Sequence, residues 1–405
     1  MGSSLKKICK EDYVIYNNSF LFLLFLTLTI NIGFGLIIPV MPILLKEHGF
    51  STGYMSSAFL CLVFARFLFQ NIGGSLIPKI GTQRILLFSF VFYSILMFYY
   101  PFIDSRNLFL LFRFAEGCFE GLAVVCLHYL SIELSTKEDR GKKMGQFSAT
   151  FGLGFIIGPT LGGIMYEYYG SKGMFWSAMI LGIIGILGLI FYGNRLGIRR
   201  RNNESKSVFP KLNKDYLRFF PFYGPYFLRR ILFFSFIIIL PLFVSDYFAI
   251  SSSRIGLIFT MSAIITTLLM PFSGKVSDKI SPYFVVMISL LIMSGLIAFF
   301  GFVTDQSIFL ILFLLETLAF CFMLPAAMKI FGNLVEKHPK RGSIMGLFGS
   351  LTDISTMIIP FILLPLYNYK ATLPWLFLSS ICFIISVPYI KHIGFFYIRK
   401  NDFKK

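Results

Sequence analysis

Three charged side chains stand inside one long apolar run of this 405-residue sequence. They are Arg113, Glu116 and Glu120, and the run extends from Leu108 to Leu134. On an α-helix their spacing of i, i+3 and i+7 places all three on one face. A run of this length can cross a bilayer, where each charge costs about 2.5 to 3.5 kcal/mol. Such charges are expected to face one another, a cavity or a transported solute, so this stretch is the first candidate for a functional site.

The composition predicts a polytopic membrane protein. Hydrophobic residues make up 56% of the chain and charged residues 14%, against about 25% charged in soluble domains. Twelve apolar runs approach or exceed the roughly 20 residues that a spanning helix needs: 20–44, 54–77, 85–103, 108–134, 144–169, 174–193, 219–244, 255–276, 282–303, 308–335, 342–366 and 373–395. The first run is too long for a cleavable signal and is expected to remain as an anchor. The predicted fold class is all-α, with twelve transmembrane helices.

The distribution of Lys and Arg predicts the orientation. If the N-terminus is cytoplasmic, the segments on the cytoplasmic side contain 26 of the 37 Lys and Arg residues. The segments on the opposite side then contain 5. This bias places both termini in the cytoplasm of a bacterial-type plasma (cell inner) membrane. The net charge of +18 is then explained by topology and by contact with anionic lipids at the cytoplasmic face, and no nucleic-acid partner is expected.

Signals for other kinds of chemistry are absent from the sequence. No two of the six cysteines form a C-x-x-C pair, the four histidines are scattered, and there is no nucleotide-binding glycine motif. No nucleophile with a matching base can be recognised either. We therefore expect no metal, no cofactor and no enzymatic activity, and a monomeric protein.

The two halves of the chain repeat each other. Gly74 and Lys79 recur as Gly274 and Lys279, and Glu116 recurs as Glu316, all at an offset of 200 residues. Several matches at one offset indicate duplication. We predict a six-helix bundle over 1–193, a basic cytoplasmic linker over 194–218 and a second, pseudo-symmetric six-helix bundle over 219–405. Parallel repeats of this kind are typical of transporters that hold a solute near the midplane of the membrane.

The fifth run carries a pattern of small residues. It reads Gly154-Phe-Ile-Ile-Gly158-Pro159-Thr-Leu-Gly162-Gly163. Three of these glycines recur every fourth residue, so they form a smooth face that lets another helix approach closely. Pro159 removes one backbone hydrogen bond and favours a kink. A generic packing face is the alternative interpretation.

These motifs resemble those of the major facilitator superfamily, and the likeness covers essentially the whole chain. Arg113-Phe-Ala-Glu116-Gly117 fits the family pattern R-x-x-[QE]-G, which is implicated in proton handling, and the glycine run fits the antiporter motif of drug/proton exporters. The family's loop motif is matched in part by Gly74, Lys79 and Gly81 and, in the second half, by Gly274, Asp278 and Lys279. The resemblance implies that Asp278 gates the inward face, a role that Pro78 in the first half cannot take.

The resemblance to tetracycline-type exporters extends to the first helix, where an aspartate is usual and Asn31 stands instead. Because an amide does not exchange a proton, a coupling acid must lie elsewhere. We expect Glu120, two turns from Arg113, to be the exchangeable site, and Glu116 with Arg113 to be a pair that breaks during the cycle. Glu316 is expected to be the coupling or substrate group of the second half. For Glu116 and Arg113, a static salt bridge is the alternative.

Further polar residues in apolar runs are candidates for the substrate cavity: Asn31, Arg66, Arg229, Arg230 and Asp353. Arg66 fits either an ion-pair partner or a substrate ligand. Arg229 and Arg230 fit either an anionic solute or extension of the side chains to the cytoplasmic headgroups.

The sequence therefore predicts a transporter that works by alternating access, with proton-coupled export of a small amphipathic compound such as a drug, metabolite or siderophore. Three alternatives stay open. They are an uptake symporter or facilitator for a small anionic metabolite, a lipid or lysolipid transporter, and a membrane sensor that transports nothing.

Overall fold

The computed structural model describes residues 2–135, 139–193, 220–336 and 341–402, and every regular element in these ranges is helical. The predicted linker, 194–218, lies outside the described residues. In chain order the helices are α1 (Gly2–Ile37), α2 (Met41–Glu47), α3 (Thr52–Ile80), α4 (Thr82–Tyr99), α5 (Arg106–Glu133), α6 (Arg140–Tyr192), α7 (Phe220–Phe248), α8 (Ser252–Lys279), α9 (Pro282–Phe300), α10 (Gln306–Glu336), α11 (Arg341–Tyr369) and α12 (Leu373–Asp402). A short 3₁₀ turn, Tyr100–Phe102, follows α4.

The helices have the lengths that a membrane requires. Within the described residues, nine helical stretches are long and apolar enough to cross a bilayer. One of them, Lys143–Tyr192, has 50 residues and is interrupted at Gly170, so it contains two of the predicted spans. Helices α5 and α11 have 28 and 29 residues, which is enough length at about 1.5 Å per residue.

The break in α6 depends on a glycine. Gly170 has φ 64° and ψ −159°, a backbone conformation that residues with a Cβ atom rarely adopt. The chain therefore changes direction at this point, between the fifth and sixth predicted spans.

The described helices divide into two compact units. The first contains α1, α2 up to Leu44, α3 from Ser57 onward, α4 to α6 and Ser251–Thr260. In it α1 lies along α6, and α4 packs on α5 and α6. The second contains Leu45–Ser56, α7 and α9 to α12 with the rest of α8; in it α9 packs on α10 and α12, and α7 packs on α11. The bundle limits expected from the sequence stay a prediction.

The glycine face of α6 packs against α1. A methyl group added at Gly158 would lie 2.6 Å from the Cα atom of Gly35, and one at Gly154 or Gly162 would overlap α1 as well. Contacts this short leave no room for any side chain, so the two backbones touch. The close approach expected from the glycine spacing is present, and α1 is the helix that makes it.

We predict that Gly158→Ala destabilises the protein while Gly295→Ala, in α9, does not. The first change forces a methyl group against the backbone of α1, and overpacking of this kind costs about 1 to 3 kcal/mol. The second meets nothing within 4 Å, and alanine favours the helix. Thermal unfolding of the purified variants in one detergent checks the comparison. Equal melting temperatures would show that the α1–α6 contact does not depend on this glycine.

Candidate functional site: charged groups inside the helices

Helix α5 presents its three charged residues to the protein interior. Arg113, Glu116 and Glu120 are 1%, 2% and 3% exposed, so the shared face predicted from their spacing is buried. Two glycines on the same helix make this possible. A methyl group at Gly121 would lie 2.6 Å from the carbonyl oxygen of Arg66, and one at Gly117 would also overlap α3. The backbones of α3 and α5 therefore touch where the charges lie.

The close approach of α3 gives Glu120 a counter-charge. Arg66 Nη1 lies 2.6 Å from Glu120 Oε1, and the arginine side chain is 21% exposed. The counter-charge of Glu120 is therefore not Arg113 of its own helix, and spacing along α5 does not reveal the partner, because it comes from a neighbouring helix. Arg66 was considered as an ion-pair partner or as a substrate ligand, and in the structure it forms an ion pair.

Glu116 is held by two donors. Arg113 Nη1 donates to Glu116 Oε2 at 2.7 Å, and Tyr100 Oη donates to the same oxygen at 2.6 Å. The Tyr100 ring stacks on Phe175 with centroids 4.6 Å apart and planes at 3°, so the phenol is fixed in place. Buried charges are tolerated in a protein when they are paired and when additional hydrogen bonds satisfy their remaining donors and acceptors. This geometry fits the static salt bridge that the sequence left as an alternative for Glu116.

Tyr100 is a site residue that the sequence did not identify. It lies at the end of an apolar run, where tyrosine is common at the membrane interface. No local pattern distinguishes such a tyrosine from one that turns inward to hydrogen-bond a carboxylate.

Glu316, on α10, lies in a very different environment. It is 2% exposed, and within the described part of the chain its Oε1 atom has no hydrogen-bond partner. The neighbouring Thr317 bonds to Ser262 at 3.1 Å, and Lys329 Nζ donates to the carbonyl of Ser277 at 3.3 Å. Of the carboxylates that the structure describes, Glu116 and Glu120 form buried ion pairs and Glu316 forms none.

The repeat suggests why Glu316 forms no ion pair within the described part of the chain. The residues 200 positions after Tyr100 and Arg113, the two donors to Glu116, are Phe300 and Phe313. Both are buried, and they pack in an aromatic cluster with Trp375, whose ring centroid is 5.3 Å from that of Phe300. The second half has therefore kept the acid and replaced its hydrogen-bond donors by apolar rings.

A third charged pair joins α7 and α11. Arg230 Nη2 lies 3.1 Å from Asp353 Oδ1, and its guanidinium lies over the ring of Phe234, 5.8 Å from the centroid. Both charged side chains are about one-quarter exposed. Arg229 is the half-buried neighbour. That these residues line a substrate cavity stays a prediction.

Asn31 is a buried packing residue in this structure. It is 3% exposed, its Nδ2 atom donates to the carbonyl of Thr27 at 2.7 Å, and it lies against Gly154 of α6. Its amide is satisfied by its own helix, and its part in a solute cavity stays a prediction.

The loop motifs lie at helix ends. Gly81 has φ 91° and joins α3 to α4, while Gly74, Lys79, Gly274 and Lys279 lie on exposed or half-buried surfaces near the ends of α3 and α8. The side chain of Asp278 lies outside the described residues, and the gating role stays a prediction. Gly163 packs against Ser252. Among the described residues no cluster of three or more His, Cys, Asp or Glu could hold a metal ion.

Long apolar helices, repeated halves and charges buried among them define a multi-pass membrane transporter. The chain belongs to the Major Facilitator Superfamily, whose family model matches residues 23–232 and 222–404. This agrees with the family resemblance found in the sequence motifs.

Two relatives are similar over nearly their full length. The chain is 26% identical to the quinolone resistance protein NorA of Staphylococcus aureus (strain COL) over 375 residues, which cover 90% of this chain and 92% of the relative. It is 25% identical to the class B tetracycline resistance protein of Escherichia coli over 387 residues, or 91% and 93% of the two chains.

Solved structures show the same fold. The nucleoside transporter NupG has a TM-score of 0.72 at 14% identity, covering 92% of this chain and 98% of the other. The human organic anion transporter MFSD10 has a TM-score of 0.64 at 17% identity, covering 92% and 99%.

We predict that Arg66→Ala destabilises the protein and that Glu120→Gln in the same chain restores part of the loss. Removing the arginine leaves a buried charge without its counter-charge, at a cost of about 1 to 3 kcal/mol, whereas the double variant buries no charge at this position. Arg84→Ala, the same change at an exposed arginine of α4, is the control. Melting temperatures of Arg66→Ala, Glu120→Gln, the double variant, Arg84→Ala and wild type give the comparison. Additive losses in the double variant would mean that the pair carries no coupling energy.

Proposed function

We propose that this protein exports a small amphipathic compound in exchange for protons, and that Glu316 is the residue that carries the proton. The carrying observation is that Glu316 is buried and that its Oε1 atom has no hydrogen-bond partner among the described residues. This assignment moves the exchangeable site from Glu120, where the sequence placed it, to the equivalent of Glu116 in the second half.

The physical reason is the cost of an uncompensated charge. An ionised carboxylate that is buried without a counter-charge or a full set of hydrogen bonds is costly in protein or lipid, whereas the protonated group carries no net charge. The charge of Glu316 therefore depends on whether water or a cationic group of the solute reaches it. A conformational cycle that exposes this carboxyl alternately to the two sides of the membrane would carry one proton across.

The paired carboxylates have a different place in this proposal. Glu116 and Glu120 already face arginines, so their charges are matched in the present conformation. The Arg66–Glu120 pair links two helices of one unit and is the pair that would break and re-form as the unit changes shape. The Arg113–Glu116–Tyr100 group stays intact and fixes α5.

The direction of transport and the class of solute rest on the relatives. Their names describe resistance to quinolones and to tetracycline, both amphipathic compounds, and the glycine motif of α6 resembles that of drug/proton exporters. The location in a plasma membrane with cytoplasmic termini rests on the bias of Lys and Arg. A solute of this class would be taken from the cytoplasm or the inner leaflet and released outside.

Uptake of a small anion has less support from the structure. Arg66, Arg229 and Arg230 were the arginines that the sequence offered to a solute. Arg66 and Arg230 face carboxylates of the protein, as does Arg113. An anionic solute would have to compete with those internal partners for Arg66, Arg113 and Arg230.

We predict that Glu316→Gln abolishes proton exchange while solute binding persists. In vesicles with a proton gradient, a transported quinolone or tetracycline should dissipate the gradient for wild type and fail to do so for this variant. Binding of the same compound to the purified variant should remain, because glutamine keeps the shape of the side chain. Glu133→Gln, the same change near the end of α5, should behave as wild type.

Two outcomes would contradict this assignment. Transport by Glu316→Gln with unchanged pH dependence would exclude Glu316 as the proton site. Loss of pH dependence in Glu120→Gln alone would return the assignment to Glu120.

A further inference from the structure

An apolar groove lies on the second unit, where α8, α9 and α10 meet. Its volume is about 420 Å³, within the range of about 300 to 1,000 Å³ of sites that hold a small molecule. Apolar side chains line it almost throughout, including Ile280, Phe284, Ile288, Ile292, Leu315 and Ala319. All of these residues belong to one unit, so the groove is a property of that unit by itself.

The groove opens toward the lipid. Phe284, Ile288, Ile292 and Leu315 are between 38% and 48% exposed, although all four are large and apolar. On a helix that spans a membrane, exposed side chains of this kind contact acyl chains. The atoms that line an open groove lack contact partners on one side. In a membrane, the medium that can enter an apolar groove is the hydrocarbon of the bilayer.

The first unit carries larger side chains at three repeat-related positions. The residues 200 positions before Ile288, Ile292 and Ala319 are Phe88, Phe92 and Phe119. These three rings pack together, with centroid distances of 4.4, 5.0 and 5.6 Å. The second half has two isoleucines and an alanine instead. At these three positions the groove is therefore lined by smaller side chains than the repeat-related ring cluster.

Two lysines precede, by one residue each, two of the residues that line the groove. Lys275 and Lys279 are exposed and one turn apart near the end of α8, so they share a face of the helix. Val276 and Ile280, from the same two turns, line the groove. The charge bias of the sequence predicts that this end is cytoplasmic, the side on which anionic lipids are concentrated.

We propose that this groove binds an acyl chain of an anionic phospholipid, with the lipid phosphate held by Lys275 and Lys279. Lipid chains are as apolar as leucine, so burial alone does not select an occupant within a bilayer. Selection comes from the fit of one chain into the groove and from the two lysines next to residues that line it. Glu316 is not among the residues that line the groove, and the proposal does not depend on the direction of transport.

The test is native mass spectrometry of the full-length protein in mild detergent with equal amounts of phosphatidylglycerol and phosphatidylethanolamine. Wild type should retain one phosphatidylglycerol in preference to the zwitterionic lipid. Lys275→Gln with Lys279→Gln should lower that preference by about fivefold for each lysine, the effect of one cation near an anionic surface. Lys79→Gln, the repeat mate of Lys279 on the unit that carries the ring cluster, should leave it unchanged.

Filling the groove tests the chain-binding half of the proposal. Ala319→Phe restores the ring found at Phe119 and should reduce retention of both lipids. Ile288→Phe, which restores Phe88, is the second variant and serves if Ala319→Phe does not fold. Melting temperatures without added lipid identify a misfolded variant.

Three results would overturn the proposal. One is equal lipid retention by wild type and the filled variants. Another is a phosphatidylglycerol preference that survives loss of both lysines. The third is a species of twice the chain mass that the filling substitutions dissociate, which would make a second copy of the chain the occupant.

Discussion

A charge inside a membrane-spanning helix needs a counter-charge, and this requirement organises the first half of the protein. Arg113 and Glu116 satisfy it within one helix, with Tyr100 as a third member. Glu120 satisfies it across helices, through Arg66. The second pairing is possible because Gly117 and Gly121 let α5 touch the backbone of α3. Small residues and charged residues are thus parts of one arrangement, since the glycines set the distance at which the ion pair forms.

The second half departs from the same requirement at one position. Glu316 occupies the place of Glu116, but apolar rings stand where the hydrogen-bond donors would be. A duplicated fold can keep a group that is static in one copy and make it titratable in the other by changing only its neighbours. The lipid-facing surface also differs between the halves. Three aromatic rings pack together in the first half, and smaller side chains at the repeat-related positions line a groove in the second. Functional differences between the halves are therefore expected where repeat-related residues differ in size or polarity.

Much of the architecture could be predicted from the sequence. Three features can be read directly from the order of residues: the apolar runs of spanning length, the 200-residue repeat and the glycines at every fourth position. The described helices agree with the apolar runs. The sequence could not reveal that α1 is the helix that packs on Gly158, nor that Arg66 reaches Glu120, because both depend on which helices become neighbours. Tyr100 escaped for the same reason. The environment of Glu316 could have been suspected from the sequence by comparing Phe300 and Phe313 with Tyr100 and Arg113, their repeat mates. That comparison has a meaning only once the structure shows that Tyr100 and Arg113 donate to Glu116.

In the proposed mechanism Glu316 holds a proton that solute binding displaces. The most direct measurement is the number of protons released to a weakly buffered solution when a quinolone or tetracycline binds the purified protein. Wild type should release close to one proton for each bound molecule, and Glu316→Gln should bind the same compound without releasing any. Equal proton release by wild type and Glu316→Gln would contradict the account.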